Sequence, residues 1–367
     1  MKRRNFLTGA GVAAGAALAT SFPKPTIAQD KMEWKMVTSW PKGLPGLATG
    51  AERLADRIGK LSGGRLTVKV YAGGELVPAF GCFDAVSQGT AEMAHDAAYY
   101  HINKISAAGF FTSVPFGMTA NELNGWIYFG GGQELWDELF AAFGVKSFLA
   151  GNTGVQMGGW FRKEIKSPKD FQGLKFRMPG HGGEALAKLG ATVVQLPGAE
   201  IFGNLQSGAI DGAEWVGPYN DLSLGFYKIT KLYYWPGFQE PGSALQCMVN
   251  KGKYDALPEE LKQIVAAACA AENDIMLAEF NGRSPAALST LVNEHKVELK
   301  QFPKSVLLAL GTASGEVMQE LIDKGDEITQ RIAKSYFKFR REAKNYTKIT
   351  EIAYATSRDL NFRYPQG

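Results

Sequence analysis

Cysteine is almost missing from this chain: its 367 residues contain only Cys82, Cys247 and Cys269. None stands in a C-x-x-C or related spacing, so nothing supports a zinc site, and three thiols allow at most one intramolecular disulfide. Histidine is scarce too, with His95, His101, His181 and His295 scattered along the sequence. His95 and His101 flank Asp96 at a spacing that suits neither a helical metal pair nor a zinc knuckle, and they read as ordinary polar contacts. No G-x-S-x-G elbow, P-loop, H-E-x-x-H or well-placed G-x-G-x-x-G occurs, which removes the commonest hydrolase, nucleotide and metalloprotease chemistries. A surplus of one charge is lacking as well. The formal +4 comes from Lys2, Arg3, Arg4 and Lys24, and the remaining 36 Lys+Arg balance 36 Asp+Glu. A neutral body without a basic tail argues against nucleic acid, which needs a clustered cationic surplus. After residue 28 no run is long and apolar enough to span a bilayer.

The first 28 residues are an address. Lys2-Arg3-Arg4 is followed by an apolar middle from Phe6 to Thr20 and a small-residue exit at Thr26-Ile27-Ala28. That is the pattern of a secretory signal with cleavage after Ala28, and the middle is shorter than the roughly 20 residues of a spanning helix. Arg3-Arg4-Asn5-Phe6-Leu7 resembles a twin-arginine (Tat-type) signal, while a plain Sec-type signal fits the same layout. Both routes lead to an extracytoplasmic space, the periplasm.

The mature chain alternates strands and helices. Trp34 to Ser39 reads as a strand, Leu47, Ala51, Leu54, Ala55 and Ile58 recur at helical spacing, and Leu66 to Tyr71 alternates as a second strand. A β-α-β start implies parallel neighbours and an α/β fold. A helix over Phe80 to Gln88 and a strand over Met93 to Ala97 follow. Further on, strands are expected over Gly173 to Met178 and Thr192 to Gln195, helices over Glu184 to Leu189 and Glu200 to Gln206, and extended chain over Ile210 to Trp215. With 45% hydrophobic residues and no low-complexity linker, two lobes would be joined by crossing strands and not by a tether. From Pro258 onward the periodicity becomes long-helical. The segment Lys324 to Tyr346 carries Ile328, Ile332, Tyr336 and Phe337 beside many charges, which would pack on its own body or on a second subunit.

One polar set stands out in apolar, Gly-rich surroundings: Gln156 in Gly154-Val155-Gln156-Met157, Arg177 in Phe176-Arg177-Met178-Pro179, and Glu214 in Gly212-Ala213-Glu214-Trp215. Arg177 ends a predicted strand, where open α/β sheets present ligand groups, and its planar fork suits a carboxylate. Pairing with a structural acid is the alternative, as a satisfied buried acid is for Glu214. If Arg177 holds an anion, Glu214 would repel it unless a cation lies between them, and Gln156, Glu214 and a carbonyl oxygen suit Na⁺ or Ca²⁺. A secreted hydrolase or lyase of small acids with Glu214 as base is the enzymatic alternative.

Gly173-Leu174-Lys175-Phe176-Arg177-Met178-Pro179-Gly180 and Leu205-Gln206-Ser207-Gly208-Ala209-Ile210-Asp211-Gly212-Ala213-Glu214 resemble signature stretches of the solute receptors of TRAP transporters, the tripartite ATP-independent periplasmic uptake systems. Gly64-Arg65-Leu66 and Tyr71-Ala72-Gly73-Gly74-Glu75-Leu76 fit the same pattern, and the resemblance spans essentially the whole mature chain. Within that family the chain is most similar to receptors for α-keto acids. The resemblance implies a two-lobed periplasmic binding protein fold with crossing strands at the hinge and a long C-terminal helical segment. Lobe 1 would cover residues 29–152, completed by about 246–300, and lobe 2 residues 153–245. Residues 301–367 would form helices that make a homodimer. It implies a receptor and no enzyme, capturing pyruvate-like 2-oxo monocarboxylates with a sodium ion and delivering them to membrane subunits. Arg177 would pair with the ligand carboxylate. Gln156, the Glu214 carboxylate and the Trp215 carbonyl would hold the cation, and Tyr100, Asn152 and Glu240 would be further pocket groups. Without the resemblance, Tyr100 reads as a core aromatic, Asn152 as a turn residue and Glu240 as a solvated loop acid. No second cationic residue accompanies Arg177, which favours a monocarboxylate, and a calcium-lactate receptor of the same family stays open. Phe202, Phe226, Phe238 and Trp215 are the candidates for setting ligand length.

Overall fold

The structure, a computed structural model, describes residues 31–365, so the expected signal segment and its cleavage point lie outside the described residues. Strands β1 (Met32–Thr38), β2 (Leu66–Tyr71), β3 (Met93–Asp96) and β4 (Val145–Asn152) enter a first sheet. Strands β5 (Gly159–Phe161), β6 (Lys175–Arg177), β7 (Thr192–Val194), β8 (Gly212–Ala213) and β9 (Leu232–Trp235) build a second. The chain then returns to the first sheet as β10 (Ala244–Asn250) and to the second as β11 (Glu298–Gln301). The orders are β2-β1-β3-β10-β4 and β11-β9-β5-β8-β6-β7. This is the mixed α/β, two-bodied architecture that the sequence implied.

The opening unit forms for the expected reasons. β1 and β2 run parallel from Met32 opposite Leu66, joined by the helix Leu47–Leu61, which buries Leu47, Ala51, Leu54, Ala55 and Ile58 on one face. Gly63 and Gly64 stop that helix with φ of 61° and 79°, a region in which a side chain is strained. Other elements escaped the pattern. β10, Ala-Leu-Gln-Cys-Met-Val-Asn, is buried on both faces from Ala244 to Val249, so it shows no alternation to read. β5 has three residues, and of the extended stretch from Ile210 to Trp215 only Gly212–Ala213 pairs. The helix expected from Glu184 starts a turn earlier, at Gly180, directly after Pro179.

Three segments cross between the bodies. Residues 153–158 and 236–243 run side by side, tied by Thr153 N to Ser243 O (3.0 Å), Gln156 N to Glu240 O (3.1 Å) and Gly237 N to Gln156 O (2.9 Å). A Cβ on Gly237 would stand 2.3 Å from the Gln156 carbonyl oxygen, so only glycine allows this approach. The third crossing is the helix Glu259–Asn293, which then feeds β11, so the chain leaves the first body before Glu298. The helix is clamped to the first body through the fully buried Glu272, which accepts from Arg53 Nε (2.9 Å) and Nη2 (2.6 Å).

The tail is helical, as Lys304–Lys324 and Glu327–Thr347, with Asp326 capping the second helix through Thr329 N. Ile332, Ala333 and Tyr336 are buried against the chain's own first body. All three cysteines are buried free thiols. His95 and His101 make polar contacts: His95 Nδ1 accepts from Trp40 Nε1 at 2.8 Å, and His101 Nε2 meets Asp96 Oδ2 at 2.7 Å. Among the described residues no helix is long and apolar enough to cross a membrane.

Candidate functional site

The two bodies and the paired crossing segments converge on one buried polar cluster. Its first half comes from a strand ladder: β6 pairs β8 in parallel with Arg177 opposite Ala213, which sets Glu214 beside the arginine. Arg177, 1% exposed, donates from Nε to the Leu196 carbonyl (3.0 Å) and from Nη1 to the Glu214 carbonyl (2.9 Å) and Oε1 (2.5 Å). Its guanidinium lies 5.0 Å from the Trp215 ring centroid. The indole is seated against Gly198, where a Cβ would fall 2.6 Å from the ring. Arg177 and Glu214 therefore touch directly, the pairing with an acid that the sequence offers as the alternative to a ligand carboxylate. They touch because neighbouring strands carry them to one edge.

The second half comes from the crossings. Gln156 Nε2 donates to Thr153 Oγ1 (3.0 Å) and to Glu240 Oε2 (2.7 Å). Glu240 is buried, not a solvated loop acid. Asn152 does form the turn expected of it, its Oδ1 accepting from Gly154 N at 2.8 Å. Tyr100 is buried among Tyr99, Phe80 and Trp40.

A small cavity opens here, lined by Gln156, Tyr100 and Trp215 of the predicted set and by Trp40, Tyr99, Thr153 and Ser243 besides. It has room for about one water molecule. Arg177, Glu214, Glu240 and Asn152 do not line it; Glu240 is bonded to the lining Gln156, and Arg177 lies over the lining Trp215. Asn152 stands one residue behind Thr153. Of the four aromatics considered for ligand length, only Trp215 lines the cavity; Phe226 and Phe202 pack in the same core cluster without reaching it, and Phe238 belongs to another cluster. Thr153 and Ser243 carried no sequence signal beyond adjacency to Asn152 and to the Glu240 segment. Trp40 carried none.

Electrostatics single the cluster out. Burial pushes the Glu214 carboxyl well above the usual carboxylate range, against the pull of Arg177, and pushes Glu240 up to about 7. For Arg177 burial disfavours the charge, but Glu214, Tyr100, Tyr99 and Glu240 together outweigh it and hold the guanidinium more firmly charged than usual. Asp221 anchors the floor. It accepts from Trp160 Nε1 (2.9 Å), Tyr233 Oη (2.7 Å), Val216 N (3.3 Å) and Gly217 N (3.2 Å), and burial still raises it to about 6.

Within this cluster the oxygens Glu214 Oε2, Gln156 Oε1 and Glu240 Oε1 lack a donor within the protein, and Arg177 Nη2 and Asn152 Nδ2 lack an acceptor. Buried polar atoms are paired almost without exception, so both sets call for a partner from outside the chain. Carboxylate and amide oxygens match a hard cation, and the guanidinium nitrogen matches an organic anion. Among the described residues no group of three His, Cys, Asp or Glu side chains could hold a metal ion.

Residues 37–324 match the bacterial extracellular solute-binding proteins, family 7 (DctP). A monocarboxylate 2-oxoacid-binding periplasmic protein of Nostoc is 38% identical over 359 residues, which cover 96% of this chain and 98% of that protein. A TRAP periplasmic solute-binding protein from Pseudoalteromonas atlantica, solved with bound sodium and pyruvate, is 40% identical with a TM-score of 0.87, covering 89% of this chain and 99% of that one. One from Bordetella bronchiseptica, a mixed-occupancy dimer with copurified calcium and picolinate at one active site and an apo site, is 38% identical with a TM-score of 0.87, covering 89% and 97%.

Proposed function

We propose a capture role for this chain, which belongs to the bacterial extracellular solute-binding proteins of family 7, the DctP receptors of TRAP transporters: it binds a 2-oxo monocarboxylate of pyruvate's kind together with a hard cation. The observation that carries this reading is the unpaired set itself, with anion-seeking and cation-seeking atoms buried in one cluster. Arg177 Nη2 takes the ligand carboxylate. Glu214, Gln156 and the Trp215 carbonyl hold the cation, which the ligand's carboxylate and 2-oxo oxygens complete. Pyruvate and picolinate, the ligands of the two solved relatives, share a carboxylate with a donor atom on the adjacent carbon, a pair that closes a chelate ring on a metal. Tyr100 bounds the pocket, and Asn152 and Glu240 hold its polar lining.

Charge explains the cation. Burial presses Glu214 and Glu240 toward their neutral forms, so both carboxylates and an incoming acid can be ionised together only with a cation beside them, and calcium offsets twice the charge that sodium does. A charged hydrogen bond contributes about 1.5–3 kcal/mol, whereas micromolar capture needs about 8 kcal/mol. The cation and closure of the two bodies around the ligand supply the remainder. Calorimetric titration of chelated protein is expected to show no pyruvate binding until Na⁺ or Ca²⁺ is restored, then one site per chain with no product formed. Lactate and succinate complete the series, and cation-independent binding or turnover refutes the reading.

The receptor works outside the cytoplasm, exported by the Tat- or Sec-type signal read at its N-terminus, and delivers its load to membrane subunits. It pairs with a second copy through its C-terminus, where Tyr346, Ile349, Ile352 and Tyr354 are 55–73% exposed in successive turns. Deleting the chain from Lys348 is expected to convert dimer to monomer in sedimentation with pyruvate affinity retained. A dimer that survives the deletion excludes this interface.

A further inference from the structure

One side chain ties the cleft's Trp215 to the opposite body. The indole Nε1 donates to Asn220 Oδ1 at 3.1 Å, and Asn220 Nδ2 donates to the Pro45 carbonyl at 2.8 Å. Trp215 and Asn220 follow β8 of the second sheet. Pro45 ends the turn that leads from β1 into the helix Leu47–Leu61 of the first. Asn220 is fully buried, and only one orientation of its amide serves both partners, because an indole can only donate and a carbonyl can only accept. The next residue back makes a second bridge: Tyr219 Oη donates to Glu279 Oε1 at 2.9 Å, and Glu279 Oε2 pairs with Arg53 Nη1 at 2.8 Å. The short helix Pro218–Leu224 thus reaches the first body and its crossing helix at two adjacent positions. Phe280 packs edge-on to Tyr219 at 5.8 Å and lies so close under Gly46 that a Cβ there would sit 2.8 Å from its ring.

We infer that Asn220 is a positioning residue that links ligand capture to closure of the two bodies, with Tyr219 as an auxiliary strut. The inference rests on the receptor reading above. The face of Trp215 supports the guanidinium of Arg177 and its edge holds Asn220, so whatever settles Arg177 against a carboxylate also settles the donor that aligns the Asn220 amide with Pro45. Separating the bodies far enough for the ligand to leave breaks the bond from Asn220 to Pro45. Encounter with the ligand does not require that bond, so its loss acts on dissociation more than on association.

Stopped-flow measurement of pyruvate binding and release, with the cation present, tests this on wild type, Asn220→Asp and Tyr219→Phe. Aspartate keeps an acceptor for Trp215 but sets a carboxylate oxygen against the Pro45 carbonyl. The expected result is release roughly 10–100-fold faster with association within about threefold of wild type. Tyr219→Phe removes a single hydroxyl and should speed release by about 3–10-fold. Small-angle scattering should show less ligand-induced compaction in Asn220→Asp. A wild-type release rate in folded Asn220→Asp overturns the inference, as does a wild-type rate in Tyr219→Phe if Asn220→Asp fails to fold. A wild-type protein that binds no 2-oxo acid with either cation refutes the receptor reading instead.

Discussion

Arg177→Lys is expected to weaken pyruvate capture by about a hundredfold while leaving a folded protein, because it removes a fork and not a charge. In the native cluster the guanidinium spends Nε on Leu196 and Nη1 on Glu214, and Nη2 has no acceptor in the chain. An ammonium has three donors but no fixed plane, and it cannot reach the Leu196 carbonyl, the Glu214 carboxylate and a bound carboxylate together. Calorimetry on both proteins with pyruvate and with pyruvamide, which keeps the 2-oxo oxygen and lacks the carboxylate, separates the roles as a double-mutant cycle. If Arg177 grips the carboxylate, the variant should discriminate the two ligands far less than wild type does. Equal loss for both ligands would reduce Arg177 to a structural partner of Glu214, the alternative that the sequence left open.

Asp221→Ala is expected to produce the largest loss of stability of any change proposed. It abandons two side-chain and two backbone donors in a site that is 1% exposed. Each stranded donor costs about 1–3 kcal/mol, and after partial relaxation the total should be about 4 kcal/mol, or about 6 °C in melting temperature for a chain of this length. Asp221→Asn keeps an acceptor and should cost less. The pair also gives a signed pH test. Burial raises Asp221 from the usual 3.8 to about 6, so the folded protein binds its proton more readily than the unfolded chain does. This group therefore costs stability above about pH 6, and that cost fades as the pH falls from about 6 toward 4. Asp221→Asn should lose this component of the pH dependence in thermal unfolding. Indistinguishable pH profiles would mean that Asp221 is solvated in the native state.

Much of the fold could be read along the chain because its causes are local. The helix from Leu47 to Leu61 declares itself by apolar spacing and its glycine stop, and β2 by its alternation. β10 could not be read. A strand covered on both faces by other parts of the molecule leaves no period in its own residues, and Ala244 to Asn250 is such a strand. The short β5 and β8 exist as strands only because partners from β9 and β6 complete their ladders.

The site divides along the same line. Arg177, Glu214 and Gln156 could be picked out in isolation because a charge or amide within an apolar, glycine-rich run demands a partner, and that demand is a property of the residue and its neighbours. Which partner answers it is decided by strand register and by the two crossing segments. The ladder between β6 and β8 brings Arg177 against Glu214, and the bonds from Thr153 to Ser243 and from Gln156 to Glu240 fold two distant stretches into one wall. Composition and motif determined the class of molecule and the kind of atoms it presents. Three-dimensional pairing decided which of those atoms are satisfied within the chain and which are not, because hydrogen bonds act only over about 3 Å and sequence distance does not measure that.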